Sequence, residues 1–306
     1  MEALVTGGAG FIGSHLVDAL VERGDGVRVL DDLSTGRREN VDARAELIEG
    51  SVADPVLVAR AVDGVETVFH LGALGAVARS VSDPGASNLA NVTGTLTVLA
   101  AARDAGARRV VFASSSSVYG GATVVPTPES VPTRPRSPYA VSKLAGEWYT
   151  RVFGELYDLE TVALRYFNVF GPRQRPDSTY AAVIPLFASA LLAGERPTVH
   201  GDGLQSRDFT YVSDVVGANL LAASTPGISA QVFNVAPGAG STLLQLLDAL
   251  GEILGVVPEP LFTASRPGDI HQSCADASAA RAALGWKPEV SFESGLTRYV
   301  AWLRSA

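Results

Sequence analysis

The chain has 306 residues, of which 47% are hydrophobic and only 18% charged, so it can bury the core of one large domain or two smaller ones and is not expected to be disordered. Its net charge of −8, with no lysine- or arginine-rich run, disfavours nucleic-acid and anionic-membrane surfaces, and its single cysteine, Cys274, excludes an internal disulfide and a cysteine-based metal site. There is no secretion signal and no apolar stretch of about 18 residues, so we expect a cytoplasmic protein that binds no membrane.

Short apolar segments of β type alternate with longer helical segments in the first half of the chain. The predicted strands are 3–5, 27–30, 46–48, 67–70, 109–113 and 161–164. The predicted helices between them are 12–23, 88–105 and 139–157. This alternation indicates parallel βαβ units, and therefore an α/β fold with a doubly wound parallel sheet.

The pattern loosens after about residue 165, where turns rich in glycine and proline separate shorter helices such as 241–254 and 276–284. We interpret this half as a smaller, discontinuous α/β lobe that binds the substrate. The stretch 211–234 is expected to return to the first sheet. The predicted division is a dinucleotide-binding domain of residues 1–165 and 211–235, and a substrate lobe of residues 166–210 and 236–306.

A glycine-rich turn with Gly7, Gly10 and Gly13 follows the first strand and opens a helix. Such a turn lets backbone N–H groups approach a pyrophosphate, which then lies at the positive end of the helix. Asp31 ends the second strand and is placed to accept hydrogen bonds from an adenosine ribose. Its carboxylate would repel a 2′-phosphate, so NAD is favoured over NADP. The alternative is that Asp31 only caps a turn.

Tyr139 and Lys143 are four residues apart in a predicted helix, so their side chains share one face. A phenol with a reference pKa of about 10 is a poor base at neutral pH, but a nearby cation favours the phenolate. The chain has eight tyrosines but only two lysines, so chance would give roughly 0.05 pairs at this spacing. The alternative is a solvent-exposed pair with no chemical role.

Four consecutive serines, 114–117, end the strand that precedes this helix. Ligands bind at the carboxyl ends of the strands in an open α/β sheet. A serine there can hydrogen-bond a sugar hydroxyl and relay its proton to Tyr139. Some of the four are expected only to cap the turn, and which one acts as the relay stays open.

With the glycine turn, the segment SSSSVYG at 114–120 and YAVSK at 139–143 in this order, the chain resembles the extended short-chain dehydrogenase/reductase family over essentially its whole length. Within that family it is most similar to the nucleotide-sugar 4-epimerases, particularly the UDP-N-acetylglucosamine 4-epimerases. The segments that carry the closer likeness are 70–77, 165–171, 180–185, 201–209 and 266–269.

The resemblance implies a Rossmann domain with bound NAD. It implies that Tyr139, assisted by Ser115 and Lys143, takes the proton of the C4 hydroxyl while hydride passes from C4 to NAD. The 4-keto sugar then turns over in the pocket, and hydride returns to its other face. The expected cofactor contacts are Gly7, Gly10, Phe11, Ile12, Gly13, Asp31, Asp32, Ser51, Val52, Leu71, Ala73, Tyr139 and Lys143. No metal is expected, because the four histidines are scattered along the sequence.

The implied partner is a UDP-sugar. Arg207 and Arg266 would hold its diphosphate, Asn168 a phosphate or the sugar, and Asp269 the uridine ribose. Small residues at Gly75, Ala182 and Ser273 leave room beside the sugar, so we expect turnover of UDP-GlcNAc and UDP-GalNAc as well as UDP-Glc and UDP-Gal. The remaining expected substrate contacts are Ser115, Ser116, Ser117, Arg175 and Val183.

Several alternatives remain at this stage. Related 4,6-dehydratases carry an Asp-Glu pair where this chain has Ser116 and Ser117, and decarboxylases keep a glutamate there, so both reactions are disfavoured. Arg175 could meet the carboxylate of UDP-glucuronate. A sugar dehydrogenase and a non-catalytic NAD sensor share the fold. The family also implies a homodimer, with helices 88–105 and 139–157 forming a bundle between subunits.

Overall fold

Seven parallel strands form the central sheet of the computed structural model, which describes residues 1–121, 124–175, 182–265 and 270–305. The strands of the described residues are β1 (Glu2–Thr6), β2 (Gly26–Asp31), β3 (Glu46–Glu49), β4 (Thr67–His70), β5 (Arg109–Ser115), β6 (Glu160–Tyr166), β7 (Val169–Phe170), β8 (Thr198–His200), β9 (Ser206–Asp208), β10 (Thr210–Tyr211), β11 (Gln231–Val235), β12 (Gly240–Thr242) and β13 (Leu261–Thr263). The order in the large sheet is β11-β6-β5-β4-β1-β2-β3. The order reverses at β1, and ligands of such sheets bind at that point. The predicted α/β class and parallel sheet are confirmed.

Helices cover both faces of this sheet. Within the described part of the chain they are α1 (Phe11–Glu22), α2 (Pro55–Val62), α3 (Val77–Ser82), α4 (Pro84–Asn88), α5 (Gly94–Asp104), α6 (Pro138–Leu156), α7 (Val183–Leu192), α8 (Val212–Ser224), α9 (Leu243–Leu254), α10 (Ser278–Leu284) and α11 (Phe292–Ser305). The predicted helix 88–105 starts earlier, at Pro84, because Asp83 caps the amide of Ala86. A π-helical turn, Leu89–Thr93, joins α4 to α5.

The strand residues are apolar on both faces because the sheet is covered on both sides. Ala3, Leu4 and Val5 of β1 are all fully buried. Ala3 and Val5 belong to a core that α1 and α8 close, whereas Leu4 belongs to the opposite core, which α2 and α5 close. The position of the carboxyl ends of the strands is therefore fixed from two sides.

The chain returns to the large sheet late in the sequence. β11 pairs in parallel with β6, with Val235 opposite Tyr166, as the pattern over 211–234 indicated. A third core joins α7, α9 and α11 to the short strands, around Phe170, Phe187 and Tyr299. The boundaries of the two predicted domains stay a prediction.

No helix in the described ranges combines the length and the apolar composition that crossing a membrane requires.

Candidate active site

A cavity of about 300 Å³ opens at the carboxyl ends of the central strands. This volume lies at the lower end of the range of ligand pockets. The cavity is lined by every residue that the sequence predicts for the cofactor: Gly7, Gly10, Phe11, Ile12, Gly13, Asp31, Asp32, Ser51, Val52, Leu71, Ala73, Tyr139 and Lys143. The structure thus brings the glycine turn and the Tyr-Lys pair, 132 positions apart from Gly7 to Tyr139, to one cavity.

The glycine turn is so tight that side chains do not fit in it. Gly7 has a φ of +71°, and a Cβ atom on Gly13 would lie 2.1 Å from the carbonyl oxygen of Gly7. No side chain caps the start of α1. Because the first amides of a helix have no partner within it, this turn presents backbone N–H groups to the cavity. Such groups bind a phosphate.

Asp31 borders the cavity and also holds the glycine turn. Its two carboxylate oxygens accept the N–H groups of Ala9 and Leu33, each at 2.9 Å. Burial raises the pKa of this carboxyl group, and the two hydrogen bonds oppose the rise. A carboxylate has lone pairs beyond these two bonds. Asp31 can therefore cap the turn and contact a ribose at the same time. The cavity fits a dinucleotide such as NAD.

Lys143 is almost completely buried in the wall of this cavity. Its Nζ atom donates a hydrogen bond to the carbonyl oxygen of Ala113 at 2.9 Å and lies 5.2 Å from the centre of the Phe112 ring. Burial lowers the pKa of Lys143 to about 8, and the carboxylate of Glu147 acts in the opposite direction. The lysine is therefore a cation at neutral pH that deprotonates more readily than a lysine in water.

The phenol of Tyr139 differs from the expectation. The protein around it raises its pKa, because burial disfavours the phenolate, while a hydrogen bond with Ser115 lowers the pKa by less. The expected lowering by Lys143 is wrong for the protein alone. The physical reason is that desolvation of the buried phenol outweighs the hydrogen bond with Ser115, while the Nζ atom of Lys143 is hydrogen-bonded to Ala113.

The four serines have different contacts. The Ser114 hydroxyl donates to Glu147, and the Ser115 side chain is hydrogen-bonded with Tyr139 and accepts the amide of Ser117 at 3.2 Å. Ser116 and Ser117 begin a 3₁₀ turn that Ser115 caps. The Ser117 Oγ atom is buried, and no hydrogen-bond partner is found for it among the described residues. Of the four serines, Ser114 lines the cavity, whereas Ser115, Ser116 and Ser117 do not.

A second cavity lies between β7, α7 and β9. Of the predicted substrate residues, it is lined by Asn168, Ala182, Val183 and Arg207, whereas Gly75 lines the first cavity. An NH group of Arg207 donates to the carbonyl oxygens of Ser206 at 2.8 Å and Ile270 at 2.6 Å.

The other predicted substrate residues are less well placed. Arg175 and Ser273 line neither of these two cavities, although the amide of Ser273 bonds the carbonyl oxygen of Ser206 at 3.2 Å. Arg266 and Asp269 lie outside the described residues, as does Tyr180 in one of the segments that carry the family likeness.

The sequence-based prediction missed three buried polar residues behind the site. In the π turn, the side chain of Asn91 accepts the amide of Leu74 at 2.7 Å and donates to Ser142 at 2.9 Å, which joins the cavity loop to α6. Glu147 and Arg165 form a buried ion pair. Glu147 could have been found, because it follows Lys143 by one helical turn. Asn91 and Arg165 could not be recognised from the sequence, because the residues that they contact are distant in the chain.

Comparison with known proteins is consistent with this geometry. Residues 3–236 match the NAD dependent epimerase/dehydratase family. A UDP-glucose 4-epimerase of Mycolicibacterium smegmatis is 42% identical over 100% of this chain and 99% of that protein. A UDP-glucose 4-epimerase of Thermotoga maritima, solved with UDP-glucose, has a TM-score of 0.96 at 41% identity over 100% of this chain and 99% of its own.

A third similar protein is the UDP-N-acetylglucosamine 4-epimerase of Methanobrevibacter ruminantium, solved with UDP-N-acetylmuramic acid. Its TM-score is 0.95 at 41% identity, over 99% of this chain and 98% of that one. The family match confirms the resemblance inferred from the sequence, and with it the expected dependence on NAD. The chain belongs to the NAD dependent epimerase/dehydratase family.

Proposed function

We propose that this chain is an NAD-dependent UDP-sugar 4-epimerase. The observation that carries the proposal is one cavity lined by both the phosphate-binding glycine turn and the Tyr139–Lys143 pair. The epimerase names of the similar proteins support it over the whole chain.

In this proposal Tyr139 is the general base and acid. Ser115, which is hydrogen-bonded with the phenol, relays the proton of the C4 hydroxyl. Lys143 supplies a positive charge that is held in place by Ala113. When bound, NAD would accept hydride from C4 and return it, and its positive charge would favour the phenolate. Because the protein alone raises the pKa of Tyr139, the phenolate is expected to form only in the complete site.

Epimerisation requires that the 4-keto sugar accept hydride back at C4 on either face before any group eliminates water from the neighbouring carbons. Ser116 and Ser117 fit this requirement, since a serine hydroxyl is neither an acid nor a base near neutral pH. Contact of Ser117 with the sugar is proposed on family resemblance alone. These residues favour epimerisation over dehydration and decarboxylation.

We further propose that UDP lies across the second cavity. Arginine's planar fork matches phosphate oxygens, and Arg207 and Asn168 both line this cavity. Asn168 has a φ of +31°, an uncommon conformation that is costly unless the surroundings enforce it. Arg266 and Asp269 are proposed to contact the diphosphate and ribose on family resemblance alone.

The proposed substrates include N-acetylated sugars, because Gly75 and Ala182 line the two cavities with little bulk and a similar protein is a UDP-N-acetylglucosamine 4-epimerase. Purified enzyme, without added NAD, would be incubated separately with UDP-GlcNAc, UDP-Glc and UDP-glucuronate, and the epimers resolved by chromatography. We expect turnover of the first two. Turnover of UDP-glucuronate alone would instead favour a role for Arg175 toward a carboxylate.

The same incubations separate an epimerase from the other classes that share the fold. An epimerase regenerates its cofactor in every cycle, so absorbance at 340 nm should not grow while product accumulates. Sustained growth at 340 nm with added NAD would identify a dehydrogenase. Cofactor binding without conversion of any UDP-sugar would identify a sensor.

We propose that the chain forms a homodimer through the outer face of α6. Its buried face carries Lys143, Glu147 and Phe153, yet apolar side chains also line the opposite face, where Trp148 is 55% and Leu156 71% exposed. A helix that is apolar on two faces is typical of one that packs on two sides. Light scattering should give the mass of a dimer, and replacement of Trp148 and Leu156 by glutamate should give that of a monomer.

A further inference from the structure

A buried carboxylate lies one helical turn beyond Lys143. The side chain of Glu147 is 4% exposed, and Arg165 binds it through both arms, with Nε 2.9 Å from Oε1 and an NH group 2.7 Å from Oε2. Ser114, which lines the cofactor cavity, donates its hydroxyl to the same carboxylate. Three charge-assisted hydrogen bonds therefore fix the position of the Glu147 carboxylate.

The other side of Arg165 is also fixed. One NH group donates to the Tyr119 hydroxyl at 2.8 Å, and that hydroxyl donates to Asn234 at 2.7 Å. Asn234 in turn donates to the carbonyl oxygens of Thr127 and Asp276. The position of the Glu147 carboxylate is thus determined by strands β6 and β11 and by two loops, as well as by its own helix.

Lys143 needs a negatively charged group nearby if it is to stay protonated in this buried position. The acceptor that it contacts, the carbonyl oxygen of Ala113, is neutral, and burial alone disfavours its charge. The negative charge that acts on it is that of Glu147, which raises the pKa of the lysine.

The other titratable groups around this lysine supply no anion. Tyr139 on α6 and Tyr166 on β6 are neutral phenols, since burial raises both pKa values. His70 on β4 is neutral, because burial and then Lys143 lower its pKa to about 3. Arg165 on β6 carries a positive charge.

We propose that Glu147, held by Arg165 and Ser114, is a positioning residue that keeps Lys143 charged in the wall of the active site. The electrostatic part of this proposal concerns the protein alone, whereas its consequence for catalysis rests on the proposed function.

The same sheet provides a matched control. At the opposite ends of β5 and β6, the buried Arg109 binds Glu160 through Nε at 3.0 Å and an NH group at 2.7 Å. That pair also joins a glutamate to a buried arginine, but it lies away from Lys143. Glu160→Gln therefore perturbs an ion pair of the same sheet without removing the charge next to the lysine.

The charge of Lys143 can be measured directly because the chain has only two lysines, and the other, Lys287, is exposed. Protein labelled with ¹³C at lysine Cε would be titrated by NMR, with the Lys287 signal as the internal reference. In Glu147→Gln we expect the pKa of Lys143 to fall by about one unit or more. In Glu160→Gln and in Arg165→Lys, which breaks the two-armed contact but keeps both charges, it should stay nearly unchanged.

An unchanged titration of Lys143 in Glu147→Gln would overturn the proposal, as would an equal shift in Arg165→Lys. Should Glu147→Gln leave Arg165 without a partner and fail to fold, the double variant Glu147→Gln/Arg165→Met removes both charges. A smaller fall in the pKa of Lys143 is expected there, because the positive charge of Arg165 is removed together with the negative charge of Glu147, and the absence of any fall would overturn the proposal.

The catalytic consequence has a separate measurement. In Glu147→Gln the fall of epimerase activity at alkaline pH should begin about one pH unit lower than in the wild type. A loss of activity that is equal at every pH would show a merely structural role. If the wild type converts no UDP-sugar, the proposed function fails, and the NMR titration still decides whether Glu147 controls the charge of Lys143.

Discussion

The two cavities of this chain are lined by different parts of the fold. One wall of the cofactor cavity is the backbone of the glycine turn, which leaves no room for one added carbon, and the cavity lies at the ends of strands whose positions the two cores fix. The second cavity is walled by side chains such as Arg207, Phe187 and Leu186, contributed by short strands and helices. Substitutions in the first cavity should therefore abolish cofactor binding or catalysis. Substitutions in the second cavity should weaken substrate binding without abolishing it.

The largest effect is expected for Tyr139→Phe, which removes the proposed base. We expect kcat to fall by at least about 10³-fold, since general acid–base groups contribute 10² to 10⁴. The variant should fold and keep its NAD. Tyr149→Phe, on the outer face of the same helix, is the control and should keep wild-type activity. Turnover of Tyr139→Phe within ten-fold of the wild type would contradict the assignment.

Gly13→Ala tests the glycine turn that lines the cofactor cavity. Its Cβ atom would lie 2.1 Å from the carbonyl oxygen of Gly7, so the turn must open, and we expect loss of co-purified NAD and about 100-fold weaker rebinding. The control is Gly217→Ala in α8, where an added Cβ meets no atom within 4 Å. That variant should keep its NAD, measured by release and enzymatic assay. Equal NAD content in both variants would refute the steric argument.

Arg207→Ala tests the contribution of a side chain that lines the second cavity. Loss of a charge-assisted contact to a phosphate costs about 1.5 to 3 kcal/mol, so KM for the UDP-sugar should rise about 10- to 100-fold. The NAD content should not change. Arg44→Ala, which removes an exposed arginine paired with Asp42, is the control. A KM like that of the wild type would place the diphosphate elsewhere.

A pH titration distinguishes the two cavities without a mutation. Lys143 has a pKa lowered to about 8, so its charge is complete below that pH and is lost as the pH rises through it. The rate should fall about ten-fold for each unit above this value. KM should change little over the same range, because an arginine stays charged. A rate that still rises at pH 9.5 would contradict a catalytic role for the lysine cation.

The fold class, the glycine turn and the Tyr-Lys pair were all predictable from the amino-acid sequence. Strand and helix periodicity, the spacing of Gly7, Gly10 and Gly13, and the four-residue step from Tyr139 to Lys143 are all local patterns. Local patterns constrain local backbone geometry, and the carboxyl ends of parallel strands must meet at one edge of the sheet. The glycine turn and the Tyr-Lys pair were therefore expected at the same place before any coordinates were known.

The folded chain was needed to show which serine contacts the phenol, how Glu147 and Arg165 pair behind Lys143, and in which direction the pKa of Tyr139 moves. These properties depend on burial and on partners from separate strands and helices, such as Arg165 on β6 facing Glu147 on α6. The cost of removing a charge from water is set by everything packed around it. A motif carries no information about that packing, so chemistry that depends on it can be found only in the folded chain.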